Sequence, residues 1–319
     1  MADATIGVDV GGTGVRAAAV LADGGRPGSV RRVGLKTRER AEVLGRVVDV
    51  VTQAAGDVSG SVAAVGVGLP AFLDLRQGRV ALAPNLPDLT GWEAAEELSH
   101  AVGRRVVLEN DANAAAYGEH WQGAGQGRDP FILLTLGTGV GGGVILKGDV
   151  LRGARGMAGE LGHLTVDPNG AACGCGARGC LEAHASATAI LRMFSEDTAQ
   201  IPDEAFRELY GRRERITARA LAELAAQGDA AAFRAFARAG RALGIAIGEL
   251  MHVFNPAGIV LGGQVAGAWD QLFPTLWEEV GRRTPQALRE GLAILPAALG
   301  PDAGVVGAAG LAWRAVQTA

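Results

Sequence analysis

The sequence predicts an α/β protein with a duplicated core, and three observations carry that expectation. Strand-like apolar runs alternate with helical patterns along the chain, as where 63–69 and 105–108 are each followed by a helix. Two segments, VDVGGTGVRAAAV (8–20) and LTLGTGVGGGVIL (134–146), share one layout of apolar strand, Gly/Thr turn and second apolar strand. The chain has 319 residues, enough for about two domains.

Taken in order, residues 5–10 alternate small and β-branched side chains and read as a buried strand. Gly11-Gly12-Thr13-Gly14 follows, and 15–21 is apolar again, so the glycines turn a hairpin. A dinucleotide-binding loop would lead into a helix instead. Asp9 ends the first strand, where a carboxylate beside backbone N–H groups would face a phosphate and its magnesium ion. Residues 37–55 carry Val43, Leu44, Val47, Val48 and Val51 at helical spacing, with Thr37 as the expected cap. A strand at 63–69, a loop at 84–87 and a helix from Thr90-Gly91-Trp92 to about 102 come next. The strand 105–108 then runs into Glu109-Asn110-Asp111-Ala112-Asn113 and an alanine-rich helix. Asn and Asp at that junction either cap the helix or place an acid and an amide at a strand's carboxyl end, where open α/β sheets bind ligands; the two roles can coexist.

The second hairpin joins strand 131–136 to 144–146 through Gly137-Thr138-Gly139-Val140-Gly141-Gly142-Gly143. Its glycines happen to match G-x-G-x-x-G, but β-branched residues follow at once and no helix does, so a dinucleotide site is rejected. Paired turns of this kind could grip a nucleotide's phosphates through backbone N–H groups and a threonine hydroxyl. Helices are expected at 186–194, 202–209 and 217–226, and a long one capped by Asp229 runs to about 254. A strand at 259–261 ends in Gly262-Gly263-Gln264; a helix at 269–280, a strand at 292–295 and a helix at 304–316 close the chain.

All three cysteines, Cys173, Cys175 and Cys180, lie in one loop, ten residues after His163 and flanked by Glu160 and Glu182. Three thiolates and an imidazole make a tetrahedral zinc set, and four protein ligands leave no open position, so the zinc is expected to be structural. Gly174, Gly176 and Gly179 are expected to supply the turns. An odd cysteine count with no secretion signal fits a disulfide framework poorly.

Composition excludes other classes. Net charge is −4 with no basic run, so nucleic-acid binding has no electrostatic support. The longest apolar stretch, 243–263, is broken by Glu249, His252, Asn255 and Pro256, which argues against a membrane span. Cysteines with no oxidising context point to the cytoplasm. Two phosphate-cradling hairpins, an acid–amide pair at a strand end, and a braced loop rich in Glu and His together fit a sugar kinase, since phosphoryl transfer needs positioning and charge stabilisation above all.

The motifs DVGGTG (9–14), ENDANAAA (109–116), LGTGVGGG (136–143), GELGH (159–163) with CGCGARGCLE (173–182), and NPAGIVLGG (255–263) resemble the ROK family of bacterial repressors and sugar kinases, and its ATP-dependent glucokinases in particular. The resemblance implies an actin-like (ribonuclease H-like) two-lobed sugar kinase fold, with a duplicated α/β core and a cleft between lobes. It implies an N-terminal lobe over 1–115 with the C-terminal helix 303–319 packing back on it, and a C-terminal lobe over 116–302. Asp111 would take the proton from the 6-hydroxyl of D-glucose. Asn85, Asn110, Glu160, His163 and Glu182 would bind the sugar, and His163, Cys173, Cys175 and Cys180 the zinc. Asp9, Gly11, Gly12, Thr13, Gly137, Thr138 and Gly139 would contact the phosphates of ATP and its Mg²⁺, with Gly262 and Gly263 near the adenosine. A homodimer or tetramer is implied as well. The chain reads Pro70-Ala71-Phe72 where kinases of the family often have Pro-Gly-Pro, and Gly14 where a longer polar residue is common. Another hexose as acceptor (N-acetylmannosamine, N-acetylglucosamine, fructose or allose) is the alternative. A sugar-responsive transcriptional regulator is a further one, although such repressors carry a winged helix ahead of the first strand, which here starts at about Thr5.

Overall fold

The computed structural model describes residues 4–318. The first part of the chain forms β1 (Ala4–Gly11), β2 (Gly14–Leu21), β3 (Arg31–Gly34), α1 (Arg40–Ala55), β4 (Val62–Leu69), β5 (Phe72–Asp74), β6 (Arg79–Leu82), α2 (Ala94–Val102), β7 (Val106–Asn110) and α3 (Asp111–Gln122). The middle forms β8 (Phe131–Leu136), β9 (Val140–Leu146), β10 (Asp149–Val150), α4 (Glu182–Ala185), α5 (Ala187–Asp197), α6 (Asp203–Tyr210) and α7 (Ala218–Ala226). The last part forms α8 (Ala230–Phe254), β11 (Gly258–Gly262), α9 (Trp269–Arg283), α10 (Gln286–Arg289), β12 (Ala293–Pro296) and α11 (Ala303–Gln317).

Two five-stranded sheets run β3-β2-β1-β4-β7 and β10-β9-β8-β11-β12. The orders are the same with β8 in the place of β1, so the core is duplicated as the paired hairpins predicted. In the first sheet β1 pairs antiparallel with β2 and parallel with β4, and β4 pairs parallel with β7. Strands β1 and β4 are buried almost end to end, which is why they read as continuous apolar runs. The chain divides into two compact units: Met1–Leu133, Gly142–Gly159 and Ala297–Ala319 form one, and Leu134–Gly141 with Glu160–Pro296 form the other.

In the first unit, α11 packs across β1 and β4 and against α3. The contact is made backbone to backbone, because small residues face each other: a Cβ added at Gly7 would overlap the Val305 carbonyl, and one at Gly307 the Ala114 carbonyl. Buried Thr5 is satisfied in this layer by donating its hydroxyl to Ala309 O at 2.9 Å. Glu119, fully buried near the end of α3, accepts from Ala124 N, Ala298 N and Leu299 N at 2.8–3.1 Å, fixing the segment that leads into α11.

Several local expectations are corrected. Thr37 does not cap α1, which starts at Arg40 with Glu39 before it and no side-chain cap. The helix expected from Trp92 starts at Ala94, after a single 3₁₀ turn at Pro87–Leu89. The edge strand β3, the short pair β5–β6 and the two-residue β10 went unseen because two to four polar or mixed residues carry no period. Asn110, Ser186, Thr217 and Asp229 do cap α3, α5, α7 and α8. No helix among the described residues is long and apolar enough to cross a membrane.

Candidate active site and metal centre

In the first unit the corner between β7 and α3 carries the acid–amide pair. Asn110 Oδ1 accepts from Ala112 N at 2.9 Å and Asn113 N at 3.1 Å, so it is the N-cap of α3, and its Nδ2 donates to Ala71 O at 3.3 Å. Asp111 is the first helical residue, at the carboxyl end of a parallel strand, and its Oδ1 accepts from Ala112 N at 2.9 Å. The positive end of the helix dipole favours the ionised form of an acid placed there. Of the two readings of this junction, the cap is therefore real and leaves Asp111 at the strand's carboxyl end. Ala71, where the departure from Pro-Gly-Pro falls, is buried and lends Asn110 its carbonyl. Asn85 is exposed in the turn before the 3₁₀ helix.

The first hairpin turns at Gly11–Gly14, and a Cβ at Gly12 would meet no other atom of the protein. Gly14 is a different case: a Cβ there would lie 2.8 Å from Val33 O, so the approach of β3 excludes a longer side chain. Asp9 is buried and lies 2.5 Å from Arg16, its direct cross-strand partner. Burial pushes the Asp9 carboxyl above the usual range, and the Arg16 guanidinium pulls against that shift. The sequence reading missed Arg16, although Asp9 and Arg16 stand at mirrored positions about the turn, a signal that antiparallel register would have supplied.

In the second unit the metal loop is folded by its glycines and by two isolated bridges, Thr165 with Cys180 and Ala172 with Arg178. Gly176 and Gly179 take left-handed φ angles of 90° and 71°; Gly174 does not. His163, Cys173, Cys175 and Cys180 converge, with all four ligand atoms within 4.8 Å of one another. Cys175 Sγ lies 3.7 Å from Cys180 Sγ, and Cys173 Sγ lies 3.7 Å from His163 Nδ1. A tetrahedron with metal–sulfur bonds of about 2.3 Å has edges of roughly 3.8 Å, so the donor set has the right atoms and very nearly the right span for zinc. Burial pushes the Cys180 thiol up to about 12 and raises Cys173 as well, so both need a cation to ionise near neutral pH. Because Nδ1 faces the sulfurs, Nε2 is the ring nitrogen of His163 left for another partner.

Glu182 joins this loop to the second hairpin. Its Oε1 accepts from Cys173 Sγ at 3.7 Å and its Oε2 from Val140 N at 3.1 Å, and a Cβ at Gly139 would overlap that same oxygen. The turn's carbonyls are held as well: Gly137 O accepts from Ala187 N at 2.8 Å, Thr138 O from Thr188 Oγ1 at 3.0 Å, and Gly139 O from Gly137 N at 2.9 Å. The start of α5 thus ties down oxygens that would repel a phosphate, a role for Thr188 that the sequence reading missed. Gly263, just past β11, has φ 84° and packs on Leu136 at the foot of the same turn, with Gly262 ending the strand. Burial raises the Glu160 carboxyl; His163 opposes that shift and the charge of Glu182 adds to it.

Known proteins match the chain over nearly its whole length. The glucokinase of Thermotoga maritima is 38% identical over 306 residues, covering 96% of each chain. The crystal structure of a ROK hexokinase from Thermus thermophilus superposes with a TM-score of 0.83 at 36% identity, over 99% of this chain and 100% of that one. A ROK glucokinase from Streptomyces griseus, solved with glucose and AMPPNP, gives a TM-score of 0.83 at 35% identity over 98% and 99% of the two chains. The α/β sugar-kinase fold implied by the motifs is therefore the fold of this protein. With the ROK family model matching residues 5–315, this chain belongs to the ROK family.

Proposed function

We propose that the protein is an ATP-dependent glucokinase, transferring a phosphoryl group from ATP to the 6-hydroxyl of D-glucose. The observation that carries this reading is Asp111, held as the first residue of α3 at the carboxyl end of β7, in a chain whose full-length relatives are glucokinases. Asp111 acts as the general base, a role contributing about 10²–10⁴-fold. Asn85, Asn110, Glu160, His163 and Glu182 hold the sugar hydroxyls, His163 through Nε2. The turns at Gly11-Gly12-Thr13 and Gly137-Thr138-Gly139 take the phosphates of MgATP by backbone N–H groups other than that of Gly137, which is bonded to Gly139 O, with Asp9 beside the first and Gly262 and Gly263 toward the adenosine. His163, Cys173, Cys175 and Cys180 hold a structural Zn²⁺ that fixes the loop bearing Glu160 and Glu182. The reduced thiols support a cytoplasmic location, and family resemblance supports a homodimer.

The test is ADP release coupled to a hexose panel, with Asp111→Asn beside the wild type. Glucose should give the highest kcat/KM, and the variant should lose at least about 10³-fold in kcat while glucose affinity changes less than about threefold. An equal loss of binding would make Asp111 a positioning residue, and no turnover with any hexose would end the kinase reading.

A further inference from the structure

Glu109, the penultimate residue of β7, is only 1% exposed, and the proposed chemistry gives it no part. Its Oε1 accepts from Asn110 N at 3.0 Å and from Asn113 Nδ2 at 3.2 Å, while Oε2 accepts from Arg152 Nε at 2.7 Å. Arg152 also reaches Asp149 Oδ1 at 3.2 Å, and the other oxygen of Asp149 lies 3.3 Å from Arg314. An ionised carboxylate is retained so far from water only when it is paired and hydrogen-bonded. Arg152 satisfies that condition from a segment 43 residues downstream, and Glu109 spends its remaining bonds on the residues either side of Asp111.

We infer that Glu109 and Arg152 are a positioning pair for Asp111. Asn110 fixes the first turn of α3 by capping its N–H groups; Glu109 fixes the same turn through Asn110 N and the side chain of Asn113. Between them the residues before and after Asp111 are held, and the acid's aim is set by that frame. Arg152 keeps Glu109 seated, and its contact with Asp149, which in turn meets Arg314, keeps Arg152 in place. This rests on the reading of Asp111 as the base. A general base works only within hydrogen-bond reach of its proton, and small displacements of a reacting group cost on the order of 10²-fold in rate.

The experiment compares Arg152→Met, Arg152→Lys, Glu109→Gln and the Glu109→Gln/Arg152→Met double variant in the full chain, with Asp111→Asn alongside. kcat and the glucose and MgATP KM values are measured well below each variant's melting temperature, with the folded fraction checked by near-UV circular dichroism. Each single charge-removing variant should lose about ten- to a hundredfold in kcat with glucose KM within about threefold. The double variant should fall no further than the worse single one, because both act through one contact, and Arg152→Lys should recover part of the loss. Unchanged kcat in folded Arg152→Met, or losses that multiply in the double variant, would overturn the pairing. Should Arg152→Met not fold, Glu109→Gln and Arg152→Lys decide on the same criteria. An active Asp111→Asn would remove the underlying reading of the base, whereas an inactive one beside fully active pair variants would remove this inference alone.

Discussion

Gly307→Ala is expected to be among the most damaging single-methyl changes in the molecule. The new Cβ would overlap the Ala114 carbonyl of α3 and lie 2.7 Å from Gly118 N, so it would strike the backbone of the neighbouring helix, and no flexible side chain is there to yield. Either α3 and α11 move apart or α11 lifts from β1 and β4. Overpacking of this kind costs about 1–3 kcal/mol and sometimes more, while alanine returns about 1 kcal/mol of helix propensity. Since both struck atoms are main-chain, the high end applies, and a net loss of about 2 kcal/mol is expected. For a domain of about 150–250 residues that lowers Tm by roughly 4–8 °C. The control is Gly45→Ala in the middle of α1, where a Cβ meets nothing within 4 Å. It should stabilise by about 0.5–1 kcal/mol through propensity alone. Thermal melts by circular dichroism read both changes. A Gly307→Ala protein that melts within about 1 °C of wild type would refute the close packing from which the placement of α3, and so of Asp111, is argued.

Two further outcomes follow from the same structure. Cys175→Ser should lower bound zinc from about one to near zero per chain, reduce Tm and raise the glucose KM, read by elemental analysis and kinetics; active wild-type protein lacking zinc would contradict the proposed centre. His120 is half-buried against Phe131, and burial pushes its pKa below the ordinary 6.5, with Asp129 opposing. The unfolded chain therefore binds a proton near pH 6.5 that the folded chain refuses, so this contribution to stability is present above that pH and is lost as pH falls toward the folded value. Replacing His120 with Gln should flatten the fall in urea midpoint between about pH 7.5 and pH 5.5, and an unchanged slope would show that His120 does not carry it.

The hairpins, the metal loop and the capped start of α3 were legible in the sequence because each is settled within a few neighbouring residues. Glycine permits a turn, cysteines two and five apart can meet on one ion, and an Asn at a strand end accepts the first free N–H groups of a helix. The sequence also repeated its hairpin, and the two sheets repeat their strand order accordingly. What tertiary structure alone decided are the meetings of residues far apart in the chain. Arg152 pairs with Glu109, Ala187 and Thr188 bind the carbonyls of Gly137 and Thr138, and α11 returns some 300 residues later to lie on β1. No local period marks such partners, since a buried glutamate or a glycine in a helix looks the same in sequence whatever lies opposite. Burial is what selects them: a carboxylate removed from water must find its cation, and two backbones can touch only where neither carries a side chain.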